Sequence, residues 1–235
     1  MKKIVLIGDS DRFGYDVMVR QAYDGIAKVY FPRDNSCFAA YALRWLHEWK
    51  NQMGCGDDVD LVHWNVGLWD CLILYRDGPL TPIDVYEQYM ERLCRRIALL
   101  FPQAKCIFAT SAPMVEELFE DPDFAVRYNK DIEAYNEAAI RAVTKYGHEI
   151  NDLYGFLADK PKEWHSDMAH FYTRAGAEGL THKVTDAIDA ALDIRAGKVD
   201  FDAWFDETDC YEGGAWLRRR WKATEAFDMQ QKLGM

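Results

Sequence analysis

Short apolar segments bounded by turn residues recur along the first 151 residues of the chain. They are rich in β-branched and aromatic residues and too short for helices, which is typical of strands buried on both faces of a sheet. This pattern predicts five strands, over residues 4–8, 27–31, 59–65, 105–110 and 148–151.

Between these segments, apolar residues recur at a spacing of three and four, so each set forms one stripe on a helix. Strands that alternate with helices predict a parallel sheet covered on both faces. The expected fold class is therefore α/β, a three-layer α/β/α sandwich around a five-stranded, mostly parallel sheet of the flavodoxin-like kind. The predicted helical stripes are Leu43, Leu46 and Trp49; Val85, Tyr89, Leu93, Ile97 and Leu100; Ile132, Tyr135, Ala139, Ala142, Val143 and Tyr146; and Leu180, Val184, Ile188 and Leu192.

The character of the sequence changes near Val199. An acidic, aromatic stretch follows, then two glycines at 213 and 214 and a basic run at 217–222. We predict an α/β domain over residues 1–198 and an aromatic-rich C-terminal extension over residues 199–235. Because the aromatic side chains need burial, we expect the extension to pack on the sandwich or to join a second copy of the chain in a homo-oligomer.

The chain has 235 residues, with 28 Lys and Arg against 39 Asp and Glu, which gives a formal net charge of −11. This excess of negative charge argues against nucleic acid as a partner. No apolar run approaches the roughly 20 residues that cross a bilayer, and the first apolar run is too short for a signal peptide, so we expect neither a membrane partner nor export. The six cysteines form no CxxC pair, which predicts reduced thiols in a cytoplasmic protein with no metal site and no cofactor.

Two polar motifs fall at the edge of the predicted sheet where such folds bind ligands. Ser10 follows the first strand, and Asp167 and His170 lie between the fifth strand and the last helix. Taken singly, Ser10 fits the N-cap of a helix and AspxxHis fits an ordinary loop. Together they supply a nucleophile, a base that takes its proton and a carboxylate that orients the base, with His165 as a rival base.

At these residues the sequence resembles the GDSL-like or SGNH hydrolases, over about residues 1–195. Gly8-Asp9-Ser10 matches the family's first block, and Asp167 with His170 matches its last block. Thr110-Ser111-Ala112-Pro113, Asn129-Lys130-Asp131-Ile132 and Tyr135-Asn136 add weaker support. The resemblance implies a serine esterase that forms an acyl-enzyme on Ser10, with His170 as the base and Asp167 as its orienting carboxylate.

The resemblance also implies an oxyanion hole made of the Ser10 N–H, a backbone N–H from the second block and an asparagine amide from the third. The second block's glycine falls on Cys37, with Ser36 as an adjacent candidate. The third block reads Gly67-Leu68-Trp69-Asp70, so tryptophan stands where the family has asparagine. We expect Asn65, two residues before Gly67, to be the substitute donor, the alternative being a turn-capping amide.

Asp11 departs from the apolar residue that often follows the serine in this family. A carboxylate there could raise the pKa of His170 or contact a polar substrate. It could equally be a charge favoured at the start of a helix, and this is the explanation we expect.

The aromatic share of 14% suggests a substrate with a ring, although packing in the core explains most aromatic residues. Trp64 and Trp69 beside the third predicted strand favour a small acyl ester, chiefly acetyl, on a carbohydrate, so the expected partner is a small-molecule or oligosaccharide ester. The alternatives are a lysophospholipase or thioesterase, and a non-catalytic carbohydrate-binding or assembly module on the same fold. A dinucleotide site is disfavoured because residues 8–14 lack the GxGxxG spacing.

Overall fold

Five parallel strands form the central sheet of the structure, a computed structural model that describes residues 1–121 and 123–205. The strands in chain order are β1 (Lys2–Ile7), β2 (Ala27–Tyr30), β3 (Leu61–Trp64), β4 (Ile73–Leu74), β5 (Lys105–Ala109), β6 (Ala125–Val126) and β7 (Glu149–Asn151). The sheet has the order β2-β1-β3-β5-β7, and every neighbouring pair in it is parallel. The predicted five-stranded α/β fold is confirmed. β4 and β6, which the sequence pattern did not predict, form a separate antiparallel pair.

Helices cover both faces of this sheet. They are α1 (Ser10–Phe13), α2 (Asp16–Ala22), α3 (Ala39–Met53), α4 (Ile83–Leu100), α5 (Asn129–Thr144), α6 (Leu153–Leu157) and α7 (Arg174–Leu192). The four predicted apolar stripes lie on α3, α4, α5 and α7. The three short helices were missed because one or two turns are too few to establish a helical periodicity.

Alternate residues of β1 supply the two hydrophobic cores. Val5 and Ile7 pack in the core under α3, α4 and α5, whereas Ile4 and Leu6 pack in the core under α2 and α7. This alternation follows from the pleat of a strand, in which successive side chains point to opposite faces. Since both faces are covered, only the ends of the strands are open to a ligand.

The first residues of the predicted extension pack on the sandwich. Phe201 and Phe205 are buried in the core under α2 and α7, and Trp204 Nε1 donates to Gln21 Oε1 at 2.7 Å. Residues 206–235 lie outside the described residues, so the extension's role in an oligomer stays a prediction. In the part of the chain that the structure describes, no helix is both long and apolar enough to span a membrane.

A buried arginine holds together three segments near the end of β1. Arg12 is fully buried; its Nε donates to the Gly8 carbonyl at 3.2 Å and its Nη2 to the Asp34 carbonyl at 2.7 Å. Its Nη1 forms an ion pair with Asp16, which is also fully buried. The guanidinium thus fixes the strand end, the start of α2 and the loop before α3 with respect to one another.

We predict that Arg12→Met lowers the free energy of unfolding by about 3–5 kcal/mol, because it removes the Arg12 cation from the fully buried Asp16 carboxylate. Urea unfolding followed by circular dichroism measures the change. Arg44→Met is the matched control, since Arg44 pairs with Glu48 at the same i, i+4 spacing on the surface. An equal loss of stability in both variants would contradict the importance of the buried pair.

Candidate active site

Ser10 lies at the carboxyl end of β1, as the first residue of α1. The N-cap of α1 is Asp9, whose Oδ1 accepts a hydrogen bond from the Asp11 N–H at 3.0 Å. The alternative that Ser10 itself caps the helix is therefore wrong, because the preceding aspartate takes that role. The Ser10 hydroxyl is left for another partner.

That partner comes from the loop before α7. In this loop Asp167 Oδ1 accepts hydrogen bonds from the N–H groups of Ala169 and His170, both at 2.8 Å. The Met168 carbonyl accepts a hydrogen bond at 2.8 Å from the Val115 N–H, which ties the loop to the segment after β5. The AspxxHis turn is thus fixed by its own backbone and by a neighbouring segment.

Ser10, His170 and Asp167 form one hydrogen-bonded row. His170 Nε2 lies 2.8 Å from Ser10 Oγ, and His170 Nδ1 lies 2.8 Å from Asp167 Oδ2 and 3.0 Å from Asp167 Oδ1. The imidazole therefore contacts the hydroxyl with one nitrogen and the carboxylate with the other, which is the geometry of a serine nucleophile with its base and orienting acid. About a quarter of the His170 side chain remains exposed, so substrate and water can reach it.

The charges of the row favour an ion pair between His170 and Asp167. Burial opposes the protonated form of His170, but the hydrogen bond and charge of Asp167, with the charges of Asp11 and Asp9, outweigh it and raise the His170 pKa. Burial likewise opposes ionisation of Asp167, yet the hydrogen bond and charge of His170 lower the Asp167 pKa. A base with this environment stabilises the imidazolium that forms when Ser10 loses its proton.

Tyr172 supports both Ser10 and His170, and the sequence analysis missed it. Its ring stacks on the His170 imidazole, with centroids 4.7 Å apart and an angle of 20° between the planes. Its hydroxyl donates to the Ser10 carbonyl. The signal in the sequence was the position of Tyr172, two residues after His170, but a lone tyrosine in a loop does not reveal what it contacts.

The backbone around Cys37 carries the second predicted oxyanion donor. Cys37 has a φ of 49°, in the left-handed region, and its N–H donates to Asn35 Oδ1 at 2.7 Å. The N–H of the neighbouring candidate, Ser36, donates to the Gly8 carbonyl at 3.0 Å. Both amides are thus near the end of β1 but engaged, and the role of Cys37 stays a prediction that requires the Asn35 side chain to release it.

Asn65, the third predicted donor, lies directly after β3 and against the loop that carries Ser10. Its side chain lies near the Asp9 carboxyl and lowers the pKa of that group against the effect of burial, and only 2% of Asn65 is exposed. Asn65 Oδ1 lies 2.1 Å from the position that a Cβ would occupy on Gly8, so only glycine permits this approach. Its place beside the first block agrees with the expectation, and its contact with an oxyanion stays a prediction.

Asp70, the last residue of the third block, has a structural role. Both carboxylate oxygens of the buried Asp70 accept from the Ala39 N–H, at 3.2 and 2.9 Å, which joins this block to the start of α3. Burial raises the pKa of Asp70 to about 7.

Trp69 is half-buried, whereas Trp64 is 2% exposed and its Nε1 donates to His148 Nδ1 at 3.2 Å. The expectation that Trp64 faces a sugar is therefore wrong, because this indole lies in the core.

The segments that gave weaker support to the resemblance contact one another. Asn136 Oδ1 accepts from the Ser111 N–H at 2.8 Å, and Asn136 Nδ2 donates to the Ser111 carbonyl at 3.0 Å. Asn129 makes the same two contacts with Met114, at 2.8 and 3.0 Å. These amide pairs hold the chain after β5 against α5, and with it the segment that contacts the AspxxHis loop.

Two carboxyl groups on either side of Ser10 are buried. Asp11 is 3% exposed, and neither of its carboxyl oxygens has a hydrogen-bond partner among the described residues. Burial, reinforced by the charge of Asp9, raises the Asp11 pKa to about 8. Burial also raises the Asp9 pKa, against the effects of Asn65 and of the hydrogen bond from the Asp11 N–H. Asp11 is in the first turn of α1, but burial disfavours its ionised form, so the explanation as a charge favoured at a helix start is wrong. The alternative that Asp11 raises the His170 pKa agrees with the structure.

The other histidine in the loop does not join the row. The His165 ring packs against the Phe171 ring, with centroids 3.9 Å apart and an angle of 43° between the planes, and burial lowers the His165 pKa. Among residues 1–121 and 123–205, no group of three or more His, Cys, Asp or Glu side chains could hold a metal ion together.

The chain has the fold of several solved lipases and esterases. A lipase/acylhydrolase from Enterococcus faecalis superposes with a TM-score of 0.61 at 20% identity, over 81% of this chain and 96% of that one. The acetyl xylan esterase AlAXEase gives a TM-score of 0.60 at 16% identity, over 79% and 99% of the two chains. A GDSL-like lipase from Bacteroides thetaiotaomicron gives 0.62 at 14%, over 81% and 89%.

The resemblance to GDSL-like hydrolases is thus confirmed at the level of the fold. No family model matches the sequence, and no curated protein matches it.

We predict that kcat/KM for an ester falls on the acid side of a pKa above the ordinary histidine value of about 6.5, because His170 must be neutral to accept the serine proton. Asp167→Asn removes the main charge that raises this pKa, so it should move the acid limb to lower pH and lower the plateau by about 10²- to 10⁴-fold. A pH profile with p-nitrophenyl acetate measures both effects. An unshifted limb in the variant would contradict the assigned pair.

We predict that Asp11→Asn stabilises the fold increasingly as pH rises. The folded Asp11 pKa of about 8 lies above the unfolded value of 3.8, so the wild-type protein loses stability from this group between those two pH values. The variant cannot lose it, and its advantage should grow by about 3–4 kcal/mol between pH 5 and 8 and level off above pH 8. Urea unfolding at several pH values gives the measurement. Asp24→Asn, at an exposed carboxylate, is the control, and equal pH dependences for both variants would refute the prediction.

Proposed function

We propose that this protein is a serine esterase that removes small acyl groups, chiefly acetyl, from carbohydrate esters. The observation that carries the proposal is the row of Ser10, His170 and Asp167 at the carboxyl edge of the parallel sheet, with 2.8 Å between His170 Nε2 and Ser10 Oγ. The His170 imidazole lies between a serine and a carboxylate with about a quarter of its side chain exposed, so a substrate can reach the row. The fold shared with lipases and an acetyl xylan esterase supports the same reaction class.

The reaction follows from the row in two steps. Ser10 Oγ attacks the ester carbonyl while its proton passes to His170 Nε2, and Asp167 holds the proton on Nδ1. The carbon–oxygen bond to the alcohol then breaks, and the alcohol leaves with the proton from Nε2. Water, deprotonated by the same nitrogen, attacks the acyl-enzyme and releases the acid and the free serine. The Ser10 N–H, with Cys37 and Asn65, is proposed to hold the oxyanion.

The carbohydrate assignment rests on Trp69, the tryptophan of the third block. Trp69 stands where the resemblance places asparagine, in the turn after β3, and the residue is only half-buried. An exposed aromatic face stacks on a sugar ring, whereas a long acyl chain needs an aliphatic channel. An acetyl xylan esterase among the structural neighbours is consistent with such a substrate.

A lipase-type activity is the second candidate, favoured by exposed apolar residues on the β4/β6 pair. Tyr75 and Phe124 are 73% and 50% exposed, and their rings contact each other at a centroid distance of 5.3 Å. An acyl chain or a lipid surface could be recognised there. The dependence of rate on acyl length separates this candidate from a deacetylase.

We predict that the protein hydrolyses p-nitrophenyl acetate faster than the butyrate and octanoate, and that Ser10→Ala lowers kcat/KM by about 10³- to 10⁶-fold. The acetyl preference supports the deacetylase, and a rate that rises with acyl length supports the lipase-type candidate. A fluorophosphonate probe that labels the wild-type protein but not the variant identifies Ser10 as the nucleophile. A protein that neither hydrolyses esters nor reacts with the probe would be a non-catalytic binding module, and the proposal would be wrong.

A further inference from the structure

One cation at the candidate active site was not singled out by the sequence. Arg127 follows β6 directly and precedes α5 by one residue. Its Nε donates to the Leu68 carbonyl at 2.6 Å, and its Cζ lies 5.6 Å from the centre of the Trp69 ring. The guanidinium is therefore held against the third block by a hydrogen bond and by an aromatic face, so its position is fixed before any ligand arrives.

The other two nitrogens of this guanidinium remain available. Within residues 1–121 and 123–205, neither Nη atom of Arg127 has a hydrogen bond or an ion pair, and neither is fully buried. This contrasts with Arg12, which uses all three of its nitrogens inside the protein. A half-buried arginine with two accessible, unpaired nitrogens can still bind an anion.

Arg127 is held against Leu68, three residues after Asn65, whose Oδ1 approaches Gly8 in the loop that carries the nucleophile. Its charge lowers the pKa values of Asp9 and Asp11, the residues on either side of Ser10, although burial raises both values overall. Neither carboxyl group forms an ion pair with Arg127. The guanidinium therefore lies within electrostatic range of the reacting serine without being neutralised by direct contact.

The protein is strongly acidic, so an unpaired cation at this site affects which substrates can bind. The chain has a net charge of −11, and Asp167 is ionised beside His170. An anionic substrate would be repelled from this surface unless a specific cation received it. A partly desolvated arginine with two unpaired nitrogens has a cost in free energy, which a bound anion would offset.

We propose that Arg127 and Trp69 form a subsite for an acidic sugar, so that the preferred ester carries a carboxylate on the ring that bears the acetyl group. The Nη atoms of Arg127 bind the carboxylate with two parallel hydrogen bonds, and Trp69 stacks on the sugar ring. This inference rests on the proposed esterase function and makes its substrate class more specific.

Two sugars that differ only in this charge test the subsite. An O-acetylated methyl galacturonoside has a carboxylate where the corresponding methyl galactoside has a hydroxymethyl group. We expect wild-type kcat/KM to be at least about tenfold higher for the uronate, mainly through a lower KM, and the preference to weaken in high salt. In Arg127→Gln the ratio should fall to near one, and Arg127→Lys should retain part of it because the charge is kept without the planar fork.

Arg76→Gln is the matched control. Arg76 follows β4, the partner strand of β6, but it is paired with Asp123 on the surface. This variant should keep the wild-type ratio. Equal kcat/KM for the two sugars in the wild-type protein would overturn the subsite, and so would an equal loss for both sugars in Arg127→Gln, which would assign Arg127 to the reaction itself.

Binding of the deacetylated sugars separates failure of the subsite from failure of the proposed function. Calorimetry should show methyl galacturonoside binding more tightly than methyl galactoside, with the difference lost in Arg127→Gln. This readout needs no hydrolysis. If the protein hydrolyses no ester but binds the uronate through Arg127, the esterase proposal is wrong and the subsite stands; if esters are hydrolysed and neither sugar is distinguished, the subsite alone is wrong.

Discussion

Parallel pairing of β1 with its neighbours on both sides is the constraint on which the site depends. In a parallel sheet every strand ends at the same edge, and here β1 and β3 end beside each other with the register Ile7 to Trp64. Gly8 and Asn65, the next residue on each strand, therefore meet, and the lack of a Cβ on Gly8 leaves room for the Asn65 side chain. The loop that carries Ser10 is positioned by this contact. To complete the row of Ser10, His170 and Asp167, only the loop before α7 has to be positioned. Asp167 fixes that loop by accepting hydrogen bonds from its backbone.

The site is built at a cost to stability. Asp9 and Asp11 are buried beside each other, and two oxygens of Asp11 and one of Asp9 have no hydrogen-bond partner among the described residues. Unpaired buried carboxyl groups destabilise a fold, and they persist where the surrounding structure compensates for them. Arg12 provides part of that compensation, because it fixes the same loop through the Gly8 carbonyl and Asp16.

Two arginines and two tryptophans near the site show that the position of a residue decides its role. Arg12 and Arg127 are both arginines near the candidate active site, yet the first is consumed by internal contacts and the second keeps two nitrogens accessible. Trp64 and Trp69 are five residues apart, yet the first packs against Phe108 and His148 in the core and the second lies in the turn after β3. Composition counts these residues alike, and only their contacts distinguish a structural group from one that can meet a ligand.

The sequence by itself determined the five strands of the parallel sheet, the four long helices, and the edge at which Ser10, Asp167 and His170 lie, because these follow from local periodicity and from the rule that strand ends converge. It could not determine contacts between residues far apart in the chain. The 2.8 Å approach of His170 to Ser10 spans 160 residues, and the stacking of Tyr172, the burial of Trp64 and the placement of Arg127 depend equally on how loops pack. The engagement of the Cys37 N–H by Asn35 was decided by a local backbone turn with positive φ, which no residue type at that position announced. Periodicity can be recognised in the sequence alone, whereas the distances between the side chains of a site are set by tertiary packing.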